Sequence, residues 1–122
     1  MKKIKLILRL ARLHFLLLGF LLYLLGYFLA IQVGSQHNLA KFLFGYLIFG
    51  SAHLSVSFSN DYFDQQTDKK SLQTPFSGGS KVLVNYPELQ KIALNLAIAL
   101  LITSAVTVSY THLRAHETVL DL

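Results

Sequence analysis

Three apolar runs decide what this chain can fold into. Leu13 to Val33 reads LHFLLLGFLLYLLGYFLAIQV, Leu39 to Phe58 reads LAKFLFGYLIFGSAHLSVSF, and Leu89 to Val108 reads LQKIALNLAIALLITSAVTV. A helix needs about 20 mostly apolar residues to cross the hydrocarbon core of a bilayer, and each run is close to that length. His14 and Gln32 are the strongly polar residues of the first run. The second holds Lys41 and His53, the third Lys91 and Asn95 near its start. The expected fold class is therefore all-α, with polytopic membrane helices and three transmembrane spans at about 13–33, 39–58 and 89–108. Composition agrees: 14% of the 122 residues are charged, against about 25% in a soluble domain. The first run is too long for a signal-peptide core of about 7–15 residues, and QVGSQ after it is a poor cleavage site.

The ends of the runs carry the charge. Lys2, Lys3, Lys5, Arg9 and Arg12 precede the first span, and Lys69, Lys70 and Lys81 follow the second. Positive charge collects on the cytoplasmic side of membrane proteins, so both regions are expected in the cytoplasm of a bacterial-type inner membrane. GSQHN between the first two spans is then an outside turn, with Lys41 reaching the outer interface by its flexible stem. The net charge of +5 flanks apolar runs and does not interleave with aromatics, so nucleic acid is not an expected partner. With no cysteine, disulfides and cysteine metal sites are excluded. In KKIKLILRLARLH, Ile4, Ile7, Leu8 and Ala11 recur at helical spacing between basic residues, while Leu6 and Leu10 blur the stripe. The segment reads either as a basic amphipathic helix on anionic lipid or as an ordinary charged flank.

The stretch SFSNDYFDQQTDKK places Asp61, Asp64 and Asp68 directly after the second apolar run. If the helix continues from Ser57 to Lys69, about 100° per residue brings Asn60, Asp64 and Asp68 onto one face. His53 and Ser57 extend that stripe toward the bilayer, and Asp61 sits on a neighbouring face. Asp64 and Asp68 repel each other at this spacing and oppose the dipole at a helix C-terminus. A divalent cation would offset both effects. Hard oxygen donors suit Mg²⁺, which often shares its shell with substrate phosphates. The bland alternative is a solvated acidic helix end with Lys69 and Lys70 as its partners. Polar groups that continue into an apolar segment are costly and tend to mark function, which favours the metal reading. A cation-transport role would place the carboxylates nearer the midplane.

NDYFDQQTD followed by TPFSGGSKVL resembles the first aspartate-rich motif and adjoining loop of the UbiA superfamily of intramembrane prenyltransferases. The family pattern Asn-x-x-x-Asp-x-x-x-Asp fits Asn60, Asp64 and Asp68, and the loop looks most like the branch acting on naphthoate-type quinone precursors, as in menaquinone formation. The resemblance runs from about Arg9 to the third span. It implies that these residues form the N-terminal part of a larger helix bundle. It also implies a transferase in which Mg²⁺ holds a polyprenyl diphosphate and the prenyl group passes to an aromatic acceptor. Asn60, Asp64 and Asp68 would be the catalytic and metal-holding residues. Asp61, Gly78, Gly79, Ser80, Lys81, Arg12 and His53 would line the substrate site. The glycines and Ser80 would offer backbone N–H groups to phosphate, as glycine-rich nests do. Read without the family, SGGS is a flexible turn, Arg12 a positive-inside anchor, and His53 one end of an interhelical hydrogen bond.

Two departures stand beside the resemblance. A second aspartate motif does not occur in the 122 residues, so the chain by itself is expected to be inactive and the activity to belong to a longer parent enzyme. Further, VSYTHLRAHET resembles the translation of a common sequencing adapter. Residues 108–122 are therefore expected to be a non-native tail, despite the i, i+4 spacing of His112 and His116 that zinc sites use. The competing reading of the whole chain is a small multi-span membrane interaction protein without catalysis, whose acidic helix end is a docking surface.

Overall fold

The computed structural model describes residues 2–72 and 79–120, with side chains as far as Leu113. The described residues are helical, without strands. Helix α1 spans Lys2–Leu10, α2 Leu13–Gln32, α3 Leu39–Phe63, α4 Gln65–Lys70 and α5 Val82–Asn85. A single 3-10 turn, Pro87–Leu89, leads into α6, Gln90–Leu120. Three of these helices are long and apolar enough to cross a membrane: Leu13–Gln32, Leu39–Phe63 and Pro87–Leu113. This is the all-α, three-span architecture that the apolar runs predict. Helices satisfy every interior N–H and C=O within the segment, which is why an apolar run in lipid adopts them.

Local signals set the boundaries. Gly34 takes φ +100 after α2, and the N–H of Ser35 reaches back to the carbonyl of Ala30 at 3.0 Å, so the orphan carbonyls of α2 are closed by a glycine in the left-handed region. Asn38 caps α3, its side chain accepting from the N–H of Lys41 at 2.9 Å. Pro87 opens the last helix, where its missing N–H costs nothing. α6 does not stop near Val108 as the expected third span does. No glycine or proline interrupts residues 108–120, so the helix continues to Leu120.

α3 lies between α2 and α6 and packs most extensively on α6. Small side chains let α3 and α6 approach. The hydroxyl of Ser55 donates to the carbonyl of Ala97 at 2.8 Å, and that of Ser104 donates to the carbonyl of Ile48 at 3.1 Å. α2 meets α3 through aromatic rings, with Tyr23 donating to the carbonyl of Phe42 at 2.7 Å. The buried apolar core sits at one end of the bundle. Leu6, Leu10, Ala11, Phe58, Val82, Leu83, Leu89, Ala93 and Ala97 form it. It gathers the N-terminal helix, the end of α3, the short α5 and the first turns of α6.

This core revises the sequence reading of the N-terminus. Leu6 and Leu10, which break the regularity of the apolar stripe, are the residues that α1 buries. They pack on protein, against α3 and α5.

Candidate functional site

The second expectation to change is the helix from Ser57 to Lys69. It bends at Asp64, where φ −88 and ψ 9 end α3 and start α4. Backbone bonding continues through the bend: Asp64 donates to Asn60 and Asp68 to Asp64, both at 2.8 Å. The bend removes the conflict with the helix dipole that a straight helix would carry, while the repulsion between Asp64 and Asp68 remains. Asp64 and Asp68 now stand at the N-terminal end of α4 and Lys69 and Lys70 at its C-terminal end, the arrangement that suits a helix dipole.

Burial separates the carboxylates. Asn60 and Asp64 are exposed, while Asp61 and Asp68 are buried, at 2% and 8% exposure. The expected stripe of Asn60, Asp64 and Asp68 is therefore divided by burial, with Asn60 and Asp64 exposed and Asp68 covered. Ser57, which was to continue it, is buried. The reason is tertiary: the segment at 79–82 and the turn at Arg12 close over the Asp61 side of the helix.

Asp61 is the most connected of these side chains. Arg12 donates from Nη2 to its Oδ1 in an ion pair. The Ser80 hydroxyl donates to Oδ2, and the Ser80 N–H approaches Oδ1 at 3.4 Å. Arg12 is held there by the backbone, with φ 46 between α1 and α2. Ser80 is held by its own second bond, accepting from the N–H of Val82 at 3.2 Å at the start of α5. One buried carboxylate thus ties together the α1–α2 turn, the end of α3 and the segment leading into α5. Its bonds to a guanidinium and a hydroxyl satisfy a charge that would otherwise be costly to bury.

Asp68 has a different environment. Its carboxylate lies against Gly79, so closely that a Cβ on that glycine would collide with it. Gly79 has φ +66, a conformation that a side chain disfavours. Burial and the nearby Asp61 and Asp64 push the Asp68 carboxyl above the usual aspartate range, with Arg12 and Lys81 acting in the opposite sense. Lys81, at φ 55, donates from Nζ to the carbonyl of Ser71 at 2.6 Å. It bridges the two sides of residues 72–79.

The candidate residues therefore fall into groups. Arg12, Asp61, Asp68, Gly79, Ser80 and Lys81 come together. Asn60 and Asp64 stand at the exposed rim. Gly78 lies outside the described residues. His53 is eight residues before Asp61 on α3, about 12 Å along the axis at 1.5 Å per residue. It sits beside the Phe49 ring, with centroids 5.8 Å apart, and apart from the acidic cluster. The pairing of Arg12 with Asp61 had no sequence signal, because 49 residues separate them.

The donor chemistry of the cluster suits a hard cation such as Mg²⁺, because Asp64 and Asp68 offer carboxylate oxygens. The donor number does not. Among the described residues no three Asp, Glu, His or Cys side chains are gathered to hold a metal ion, and Asp61 is already committed to Arg12 and Ser80. These residues alone do not make up a metal site. No protein-family model, curated protein or solved structure matches the chain.

Proposed function

We propose that this chain carries the first aspartate motif of a UbiA-type membrane prenyltransferase, whose substrates are a polyprenyl diphosphate and an aromatic quinone precursor. The observation that supports this most is Asp68: a buried carboxylate with a raised pKa, pressed against a positive-φ glycine at the polar end of three membrane-length helices. Buried groups with perturbed pKa values and specific charged neighbours concentrate at functional sites. On this reading Asp68 and Asp64, with Asn60 at the rim, supply oxygens from one side of the diphosphate. Lys81 and the segment from Gly79 approach it from the other. Mg²⁺, when bound, would neutralise charge on the departing diphosphate. Asp61 positions this frame and does not itself meet the substrate. The remaining donors would come from a second motif in a longer parent chain, and the basic flanks put the site on the cytoplasmic side.

A second reading is favoured by the saturation of Asp61. A buried ion-pair network can be purely structural, and the exposed Asp64 would then belong to a docking surface of a non-catalytic membrane protein. Hydrogen exchange separates the two. The chain in lipid nanodiscs is compared with Mg²⁺ alone, with Mg²⁺ and inorganic pyrophosphate, and with Mg²⁺ and geranylgeranyl diphosphate. The prenyltransferase reading expects amides from Asn60 to Lys81 to gain protection with the prenyl diphosphate, and Asp68→Asn to abolish the gain. Exchange that ignores the diphosphate overturns it in favour of the docking protein.

A further inference from the structure

α1 divides its surface three ways. About 100° per residue places Leu6, Leu10 and Ile7 on one arc, Ile4 and Leu8 on the next, and Lys5 and Arg9 beyond them. The first arc is spoken for: Leu6 and Leu10 are buried, and Ile7 packs against the core. The second is bare, with Ile4 64% and Leu8 49% exposed. Lys5 and Arg9 are exposed, and neither has an ion-pair partner among the described residues, where Arg12–Asp61 is the pair formed.

We propose that this face of α1 is a binding surface for anionic phospholipid, with Ile4 and Leu8 entering the acyl layer and Lys5 and Arg9 meeting headgroup phosphates. Three observations choose lipid as the occupant. First, the bare arc is continuous in sequence with the exposed apolar surface of α2, which begins at Leu13 and continues at Leu17, so α1 lies at the level where the bilayer starts. Second, the uncompensated cations complement an anionic surface, which attracts basic residues next to a span. Third, two side chains are far short of the roughly 1,000 Å² that a specific protein interface needs, whereas a shallow apolar strip with a basic border is what interfacial helices present. Lipid contact by this face does not require the acidic cluster to bind a diphosphate.

The chain contains no tryptophan, so a single introduced one reports its own surroundings. Leu8→Trp and, separately, Ile4→Trp are reconstituted in nanodiscs of phosphatidylcholine alone or mixed with phosphatidylglycerol, with bromine placed near the carbonyl end of the acyl chains. Lys70→Trp, at the exposed end of α4, is the water-facing reference. The expected result is blue-shifted, quenched emission from positions 4 and 8, stronger with phosphatidylglycerol, and unquenched emission from position 70. Lys5→Gln with Arg9→Gln in the Leu8→Trp background should remove the dependence on phosphatidylglycerol. Unquenched red emission at positions 4 and 8 overturns the proposal. Blue but unquenched emission overturns it too, as it marks a protein contact. Quenching that is equal in both lipids overturns the role given to Lys5 and Arg9.

Discussion

The two ends of the packing scale in this molecule lie on the same helices. At the polar end, α1, the end of α3, α5 and the start of α6 bury Leu10, Leu83, Leu89 and Val82 almost completely, together with Asp61 and Asp68. Along the spans, Leu17, Leu22 and Leu101 are more than half exposed, and α2 touches its neighbour through a thin line of aromatics. In water this would be inverted, because the hydrophobic effect drives large apolar side chains inward. In a bilayer the lipid tails are as apolar as leucine, so spans associate through close packing of small residues and through hydrogen bonds. Ser55, Ser104, Ala93 and Ala97 do that between α3 and α6. Where water returns, the hydrophobic effect returns, and so does a conventional core. The acidic cluster is built on that core, which gives its charged groups a rigid mount at the end of the three membrane-length helices.

Mutations test the contrast directly. The largest effect is expected from Arg12→Ala, which leaves the buried Asp61 carboxylate without its cation. Breaking a buried pair in this way costs about 3–5 kcal/mol, measured as a lower unfolding midpoint of the chain in detergent micelles. A loss below about 1 kcal/mol, the scale of exposed pairs, would show that Asp61 is wet and the polar end is not a true core.

Asp68 carries the pH dependence. Its pKa is raised in the folded state, so the native chain binds more protons than the unfolded chain between the ordinary aspartate value and the raised one. The sign follows from linkage. Its contribution to stability is fully present below the unfolded pKa, about 3.9, and is lost as pH rises through the folded value. The unfolding midpoint should therefore fall over that window, and Asp68→Asn should flatten the profile. A midpoint that rises with pH through the window, and keeps its slope in Asp68→Asn, would remove the repulsion and burial assigned to this side chain.

The smallest effects separate lipid-facing from packed positions within the spans. Ser55→Ala removes one interhelical hydrogen bond and should cost about 0.6 kcal/mol, the average for such bonds in a membrane protein. Leu22→Ala removes a larger side chain that faces outward, and should stay within about 0.5 kcal/mol. If Leu22→Ala proves the costlier by several-fold, the exposed face of α2 is a packing surface.

The spans were legible because their signal is local. Apolar length, Gly34, Asn38 and Pro87 each act within a few residues, and the helices begin and end close to them. The acidic stretch was legible as a cluster, but its geometry was not. Periodicity on a straight helix puts Asn60, Asp64 and Asp68 on one face and leaves Asp61 aside. The Arg12 turn and the segment at 79–82 cover Asp61 and Asp68 and leave Asn60 and Asp64 at the rim. The N-terminal stripe divided in the same way: Leu6 and Leu10 looked like irregularities until α3 and α5 covered them.

By itself the sequence determined that this is an all-helical chain with three bilayer-length segments, charged at their ends, with an acidic run beside the second. Those properties depend on composition and on spacings of a few residues. Only the tertiary structure decided which carboxylates are buried and which cations meet them. Arg12 finds Asp61 across 49 residues of chain because the α1–α2 turn, the end of α3 and Ser80 converge on one point. That convergence is set by the apolar packing beneath them, and the charge pattern does not encode it.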